Sequence, residues 1–283
     1  MISLSHATKR YGTHAALNDL TLTIDAPGIY CLLGRNGAGK TTLLKTIAGH
    51  HGLTSGKVTV DGMNVGPLSM PEQVHFVATD ASQFNTSLTR LFAAAALVNP
   101  EFDQAFALEV AGRFNLDVTK RYRSLSFGMK AMANTIIALC SGRSVILLDE
   151  PVLGFDPVMR ARFYDLLLEL VAQKPRIVLV STHIIDEISA AAEQIIIIDQ
   201  GQLVLFTDIN TIDEQAYTVT GPGDQVIEAT RGLNVIAEKV MGGYMSRSIF
   251  DRRLEATGSL SVSSLSLQDF FVALATSSTS HQP

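Results

Sequence analysis

The chain carries near its start the segment Gly34-Arg35-Asn36-Gly37-Ala38-Gly39-Lys40-Thr41, which fits the pattern G-x-x-x-x-G-K-[ST] at every fixed position. The glycines let the backbone curl so that successive N–H groups point at one anion. Lys40 supplies a positive charge for the outer phosphates of a nucleotide, and the Thr41 hydroxyl can hold a magnesium ion. The segment therefore predicts a phosphate-binding loop for a nucleoside triphosphate.

The sequence on both sides of this loop supports the prediction. Residues 29–33 form an apolar run typical of a strand, and residues 42–49 predict a helix that ends in glycine. A helix N-terminus is itself an anion site, so the start of this helix belongs to the expected site. The expected nucleotide contacts are Asn36, Gly37, Ala38, Gly39, Lys40, Thr41 and Thr42.

Composition indicates a globular protein with a sizeable core. Of the 283 residues, 47% are hydrophobic and 17% are charged, and the net charge is −5. This acidic balance argues against nucleic acid as the main partner.

The cysteines, Cys31 and Cys140, lie in apolar runs and are expected to be buried thiols of a reducing compartment. No apolar run approaches the roughly 18 residues that span a bilayer. If the protein works at a membrane, a separate chain is expected to supply the spanning helices.

Strand patterns dominate the front of the chain, where the phosphate-binding loop lies. Residues 2–8 and 20–25 alternate, and residues 57–62 predict a strand that ends in an Asp-Gly turn, so antiparallel pairing is expected. From about residue 88 the pattern becomes helical. An apolar stripe that we interpret as core packing follows an expected helix start at Asn99-Pro100. The stripe comprises Phe102, Phe106, Val110 and Phe114.

The second half of the chain alternates strands and helices. The segment 144–148 contains the continuous apolar run Val145-Ile146-Leu147-Leu148, which suits a strand buried on both faces of a parallel sheet. Asp156 and Pro157 then predict the cap and first turn of a helix. This alternation is typical of an α/β fold. Residues 211–283 predict a small appended α+β unit, in which Ser266 opens a helix through a capping-box-like motif.

Two acidic residues stand at the end of the buried strand in the second half of the chain. Asp149 ends that strand and is placed to hold Mg²⁺. Glu150 comes next, where a carboxylate can orient or deprotonate an attacking water. The alternative interpretation of such a pair is a solvated turn at a strand end. The phosphate-binding loop upstream favours the catalytic interpretation.

Further motifs occur in order around these features. Residues 125–129 stand before a helix and ahead of the acidic pair, residues 154–156 follow the pair, His183 follows a strand, and Tyr11 lies just past the first strand. In this arrangement residues 1–210 resemble the ATP-binding subunits of ATP-binding cassette (ABC) transporters. The resemblance implies an α/β P-loop NTPase cassette: a mixed-sheet core with an antiparallel β subdomain and a helical subdomain at about 85–142. Residues 211–283 would be a C-terminal accessory domain.

The resemblance also implies roles for single residues. Tyr11 would stack on adenine, although an ordinary core or surface tyrosine is the alternative. Ser126 and Gly128 would face the γ-phosphate of a nucleotide held by a second cassette, so that two ATP molecules lie between two subunits. His183 would hydrogen-bond the γ-phosphate and help to fix Glu150, unless it is an ordinary buried histidine. Glu150, His183 and Lys40 are therefore the expected catalytic residues, and Thr41 and Asp149 the expected metal ligands.

The sequence departs from the family pattern in two places. The family usually has a glutamine where this chain has Thr79-Asp80, and Gln83 lies slightly downstream. The signature has Phe127 and Met129 where glycine and glutamine are commoner. Ser126 and Gly128, which provide the polar groups, are retained. Relaxed signatures and C-terminal extensions of this kind resemble those of bacterial exporter-type cassettes.

The resulting hypothesis is an ATP-hydrolysing subunit of a bacterial ABC exporter that uses ATP and Mg²⁺. Its expected partners are a separate transmembrane permease subunit and a second cassette, in a homodimer, and not nucleic acid. Its expected location is cytoplasmic, peripheral on the cytoplasmic face of the cell membrane. One alternative is a soluble ABC ATPase of cofactor assembly, translation or DNA repair. Another is a binding module that has lost turnover.

Overall fold

The structure is a computed structural model that describes residues 1–78, 84–255 and 257–277. The chain divides into two compact units, one of residues 1–183 and 196–205, the other of 184–195 and the described residues from 206 onward. The elements of the first unit are β1 (Ile2–Tyr11), β2 (His14–Ile24), β3 (Gly28–Leu33), α1 (Lys40–Ile47), β4 (Ser55–Val60), β5 (Met63–Asn64), β6 (Val74–Val77), α2 (Leu88–Val98), α3 (Gln104–Arg113), a 3-10 turn (Tyr122–Ser124), α4 (Phe127–Leu139), β7 (Val145–Asp149), α5 (Pro157–Gln173), β8 (Ile177–Ser181), and most of β9 (Gln194–Asp199) and β10 (Gln202–Asp208).

An antiparallel sheet with the strand order β2-β1-β4-β5 forms one layer of the first unit. Ile2 of β1 faces Ile24 of β2 on one side and Val60 of β4 on the other, and all are buried. The predicted Asp-Gly turn is confirmed, because Val60 pairs with Met63 across Asp61 and Gly62. Both turn residues have positive φ, as the tight two-residue hairpin requires.

A six-stranded sheet with the order β10-β9-β3-β8-β7-β6 forms the second layer. Strands β3, β8, β7 and β6 run parallel, and every residue of β3, β7 and β8 is buried. This confirms the parallel, doubly covered strand expected at 144–148. The strand before the phosphate-binding loop, β3, belongs to this sheet and not to the antiparallel one. One apolar core joins both layers, from Leu4 in β1 to Leu147 in β7.

Helices α2, α3 and α4 occupy the segment that the sequence predicted as helical. The helix start expected at Asn99-Pro100 is wrong, because α3 begins at Gln104. The Asp103 carboxylate accepts the Phe106 N–H at 2.9 Å and caps the helix there. Phe102, expected on the helical stripe, therefore precedes the helix, although it is buried as predicted. The predicted start of α5 is confirmed: Asp156 caps it by accepting the Met159 N–H, and Pro157 is its first residue.

Both cysteines are buried and unpaired, as the sequence predicted. Desolvation by burial raises the pKa of the Cys140 thiol to about 12, with the nearby Asp103 adding to the effect. Desolvation also raises the pKa of Cys31, which lies in β3. Because the thiolate is the reactive form, these side chains act as small apolar core residues.

The second unit is an α+β structure. Its elements are α6 (Ile185–Ile188), α7 (Ile209–Gln215), β11 (Ala216–Pro222), α8 (Gly223–Ala229), β12 (Val235–Met241), β13 (Tyr244–Phe250), β14 (Ser261–Ser264) and α9 (Leu267–Ser277). The four strands form an antiparallel sheet in the order β12-β13-β11-β14. Ser266 accepts the Asp269 N–H at 3.0 Å and so caps α9, as predicted. The unit also includes residues 184–195, and the proposed domain boundary at 210/211 stays a prediction.

Among the helices of the described ranges, none combines the length and the apolar character that a bilayer crossing requires.

Candidate functional site

The phosphate-binding loop joins the buried end of β3 to the start of α1. Gly39 directly precedes α1 and has a φ of 107°, a conformation that L side chains rarely adopt. A Cβ at this position would also collide with the carbonyl oxygen of Ala16. Both constraints require glycine, so the sequence pattern has its expected physical cause here.

A cleft of about 360 Å³ opens at this loop. The residues that line it include the predicted nucleotide contacts Asn36, Gly37, Ala38, Gly39, Lys40, Thr41 and Thr42, together with Arg35, His14, Asp149 and Glu150. The structure therefore brings the loop and the two acids together, although they are far apart in sequence. This volume lies at the lower end of ordinary small-molecule sites.

Lys40 lies beneath the loop and is only 9% exposed. Its ammonium group donates to the carbonyl oxygen of Gly34 at 2.6 Å. Desolvation by burial lowers the pKa of Lys40, while the negative charges of Glu150 and Asp149 oppose that shift. A positive charge with few water contacts acts strongly on an anion in the cleft.

Asp149 is held by hydroxyl groups from two other elements. The Thr41 hydroxyl donates to Asp149 Oδ2 at 2.7 Å, and the Ser181 hydroxyl donates to Oδ1 at 2.6 Å. Asp149 is 6% exposed, so its carboxylate is oriented by these contacts and not by bulk water. Ser181 was not predicted from the sequence. It lies opposite Asp149 in the register of β7 and β8, and only that register reveals it.

Glu150 and His183 form the second pair of the site. His183 Nδ1 lies 2.7 Å from Glu150 Oε2, and the Glu150 N–H donates to the backbone oxygen of Ser181 at 3.1 Å. Glu150 has a φ of 50°, which is uncommon for a residue other than glycine. Such conformations persist where the surrounding structure fixes them, and they cluster at active sites.

Four predicted residues are not among the described residues that line this cleft: Tyr11, Ser126, Gly128 and His183. Of these, His183 still reaches the site through its contact with Glu150. The Tyr11 side chain is 45% exposed, and its ring meets that of His51 edge-on with centroids 5.9 Å apart. Ser126 caps α4 by accepting the Met129 N–H. Gly128 packs so closely on Gly154 that an added Cβ would lie 2.5 Å from the Gly154 carbonyl oxygen.

His14 lines the cleft next to the loop and was not predicted from the sequence. It follows the tight turn between β1 and β2, so no motif spacing marks it. The residues Thr79-Asp80 and Gln83, where a family glutamine was sought, lie outside the described residues.

Comparison with known proteins agrees with this geometry. The family model described as "ABC transporter" matches residues 17–153. The chain is 30% identical over 217 residues to the ABC transporter ATP-binding protein YtrB of Bacillus subtilis (strain 168), covering 76% of this chain and 74% of YtrB. It is also 30% identical to the Nod factor export ATP-binding protein I of Rhizobium johnstonii, covering 72% of this chain and 68% of that protein. The chain spans only 4% to 13% of several much longer animal transporters that it also matches.

A solved structure shares the fold. A dimeric ATP-binding cassette in a post-hydrolysis state with ADP and phosphate aligns with a TM-score of 0.65 and 22% identity. The alignment covers 74% of this chain and 99% of the cassette. It confirms the predicted fold class, a P-loop cassette with a mixed sheet.

The fold and the loop with its two acids define a nucleotide-hydrolysing protein of the P-loop class. More specifically, the chain belongs to the ATP-binding proteins of ABC transporters. As a member it binds ATP and is an ATPase.

Proposed function

We propose that the chain is the ATP-hydrolysing subunit of a bacterial ABC exporter and works as a pair of cassettes docked on a separate transmembrane subunit. The observation that carries this proposal is that the predicted nucleotide contacts fall into two groups, of which only one lines the cleft. The loop, Asp149 and Glu150 share one cleft, whereas Ser126 and Gly128 are absent from its described lining. A site whose predicted contacts lie on two separate surfaces of the chain is suited to be completed by a second copy.

Within one cassette, the loop would hold the phosphates of ATP. The backbone N–H groups of Gly37, Gly39, Lys40 and Thr41 would attract the phosphate oxygens at the N-terminus of α1. Lys40 adds a largely desolvated positive charge. The loop then needs little rearrangement on binding, because glycine conformations already fix its curvature.

Thr41 and Asp149 fit a magnesium ion. A hydroxyl oxygen and a carboxylate oxygen lie 2.7 Å apart at the edge of the cleft, and both are the hard oxygen ligands that Mg²⁺ prefers. These residues would hold the ion together with phosphate oxygens, where it neutralises phosphate charge. Ser181, which donates to the other oxygen of Asp149, would orient this ligand from behind.

Glu150 would accept a proton from the attacking water. Its side chain is 21% exposed at the cleft and is in contact with His183, which limits the positions that its carboxylate can take. His183 would position Glu150 and contact the γ-phosphate through its other ring nitrogen. Water then attacks the γ-phosphorus, the bond to the β-phosphate oxygen breaks, and ADP and phosphate leave.

An apolar groove supports docking on a second protein. The groove has a volume of about 540 Å³ and lies between β6 and α2, with Phe76, Val77, Leu91 and Val98 among its lining residues. Val98 is 83% exposed, so its side chain is accessible to a partner that enters the groove. A helix of the transmembrane subunit is the occupant that we propose, since apolar grooves bind the apolar faces of helices. This would place the chain at the cytoplasmic face of the membrane.

The proposal that the transporter exports its substrate rests on the name of a similar protein. One similar protein, of Rhizobium johnstonii, is named a Nod factor export ATP-binding protein. The relaxed signature at Phe127 and Met129 agrees with this direction.

Affinity purification of the tagged chain from detergent-solubilised membranes tests the proposal. We expect a polytopic membrane chain in stoichiometric amount. The variant Val98→Asp should lose this chain because it places a charge in the groove. Leu68→Asp, a control at a fully exposed apolar residue outside the groove, should retain it. Co-purification that does not depend on Val98, or a soluble partner alone, would contradict the proposed docking.

A further inference from the structure

We infer that the turn between β9 and β10, residues 199–201, is a positioning element that fixes the phosphate-binding loop from behind. No motif in the sequence points to this turn. The inference rests on the proposed role of the loop in holding the phosphates of ATP. It assigns to Gly201 a role in nucleotide affinity although Gly201 does not line the described cleft.

Hydrogen bonds join the turn to the loop and to β2. The Gly201 N–H donates to the carbonyl oxygen of Ala38, in the middle of the loop, at 2.9 Å. The Gly201 carbonyl oxygen accepts the Asn18 N–H of β2, also at 2.9 Å. Both hydrogen bonds use backbone atoms of Gly201. A shift of the Gly201 backbone would therefore move the N–H group that holds the Ala38 carbonyl oxygen of the loop.

The packing around Gly201 leaves no room for a side chain. Its φ is 76°, and an added Cβ would lie 2.8 Å from both the Ala16 carbonyl oxygen and the Leu17 Cα. These are backbone atoms of β2 and cannot rotate away. The neighbouring Gln200 has a φ of 48°, so two successive residues of the turn have a left-handed conformation.

The end of β9 and strand β2 also lie close against the start and the end of the phosphate-binding loop. A Cβ on Gly34 would lie 2.5 Å from the Ile198 carbonyl oxygen, just before the turn. A Cβ on Gly39 would collide with Ala16 of β2. The loop is therefore held at its start by the end of β9, in its middle by Gly201 of the turn, and at its end by β2. A loop fixed in this way presents its N–H groups to phosphate without a further cost of ordering.

The test compares Gly201→Ala with a matched control, Gly62→Ala. Gly62 lies in the β4–β5 turn with a φ of 79°, close to that of Gly201, but an added Cβ there meets nothing within 4 Å. Both variants carry the cost of alanine at positive φ, and only the first displaces backbone that touches the loop. ATP affinity is measured by equilibrium titration, and folding by thermal unfolding without nucleotide.

We expect Gly201→Ala to raise the Kd for ATP about tenfold or more and Gly62→Ala to change it less than about twofold. Equal affinities in the two folded variants would overturn the inference. Lys40→Ala separates this result from the proposed function. If Lys40→Ala binds ATP as the wild type does, the role proposed for the loop itself is wrong.

If Gly201→Ala does not fold, hydrogen exchange of the wild-type chain decides. The Gly201 N–H should exchange more slowly when ATP is added, because its acceptor, Ala38, becomes more rigid. The N–H groups of the Asp61-Gly62 turn should be unaffected. Unchanged exchange at Gly201 under saturating ATP would overturn the inference.

Discussion

The hydroxyl of Thr41 donates a hydrogen bond of 2.7 Å to Asp149 Oδ2, although these residues are separated by 108 positions in the sequence. The contact connects the start of α1 to the end of β7 in the six-stranded sheet. It brings together the two side chains that we propose as magnesium ligands. A test of this pair therefore tests the metal site.

Replacing Asp149 should change how ATP hydrolysis depends on the Mg²⁺ concentration. We expect Asp149→Asn to raise the Mg²⁺ concentration for half-maximal ATPase activity by about tenfold or more, because an amide is a weaker ligand than a carboxylate. Asp165→Asn, at an exposed position of α5, is the control. Identical Mg²⁺ titrations of the two variants would exclude Asp149 as a ligand.

The His183–Glu150 contact should matter for hydrolysis more than for binding. We expect His183→Ala to lower kcat about 100-fold while the Kd for ATP changes less than about threefold. The chain offers a matched control, since His6 Nδ1 lies 2.8 Å from Asp19 Oδ1 in an exposed pair. His6→Ala should leave kcat unchanged. A loss of ATP affinity equal to the loss of kcat would show that His183 acts in binding.

Much of this site could be predicted from the sequence, because its main parts are local motifs. A phosphate-binding loop requires glycine at fixed positions, and the strand before Asp149 is a continuous apolar run. Ser181 and His14 could not be predicted in this way. Their positions depend on the register of β7 with β8 and on the turn between β1 and β2, which are properties of the folded chain.

Mixing two inactive variants should restore activity if Ser126 acts on the nucleotide of a second cassette. In a mixed dimer of Lys40→Ala and Ser126→Ala, one composite site carries both changes and the other carries none. Random exchange then gives about a quarter of the wild-type ATPase rate, whereas each variant alone is nearly inactive. A mixture as inactive as its components would place Ser126 in the site of its own chain.

Acid should destabilise the first unit through His75 of β6. Desolvation by burial, with a contribution from Arg143, lowers the pKa of this histidine to about 4 from an ordinary value of 6.5. Between these values the unfolded chain binds more protons than the folded one, so stability falls as the pH decreases through this window. The loss between pH 7 and 5 is roughly 1–2 kcal/mol.

Urea unfolding at pH 7 and pH 5 checks this prediction. His75→Gln should lose less stability on acidification than the wild type, by about the amount that His75 contributes. His6→Gln, at the exposed pair, is the control and should behave like the wild type. Equal losses of stability in His75→Gln and the wild type would show that His75 does not cause the acid sensitivity.

The helix α3 shows where sequence patterns mislead. Asn99-Pro100 has the composition of a helix start, but the Asp103 carboxylate caps the Phe106 N–H instead. Asn99 is used differently: its side-chain amide donates to the Ser141 carbonyl oxygen at 2.7 Å. This contact between distant segments competes with the local signal, and only tertiary structure determines which cap is used.

The central claim is that two cassettes close on ATP, and Glu150→Gln tests it most directly. This variant keeps the shape of the side chain but removes the proton acceptor, so ATP should bind and persist. We predict that size-exclusion chromatography with saturating ATP and Mg²⁺ shows a dimer, that the apo form is a monomer, and that phosphate release is at least about 100-fold slower than in the wild type. The double variant Lys40→Ala/Glu150→Gln should stay monomeric. A monomer of Glu150→Gln under saturating ATP, or turnover near that of the wild type, would contradict the account.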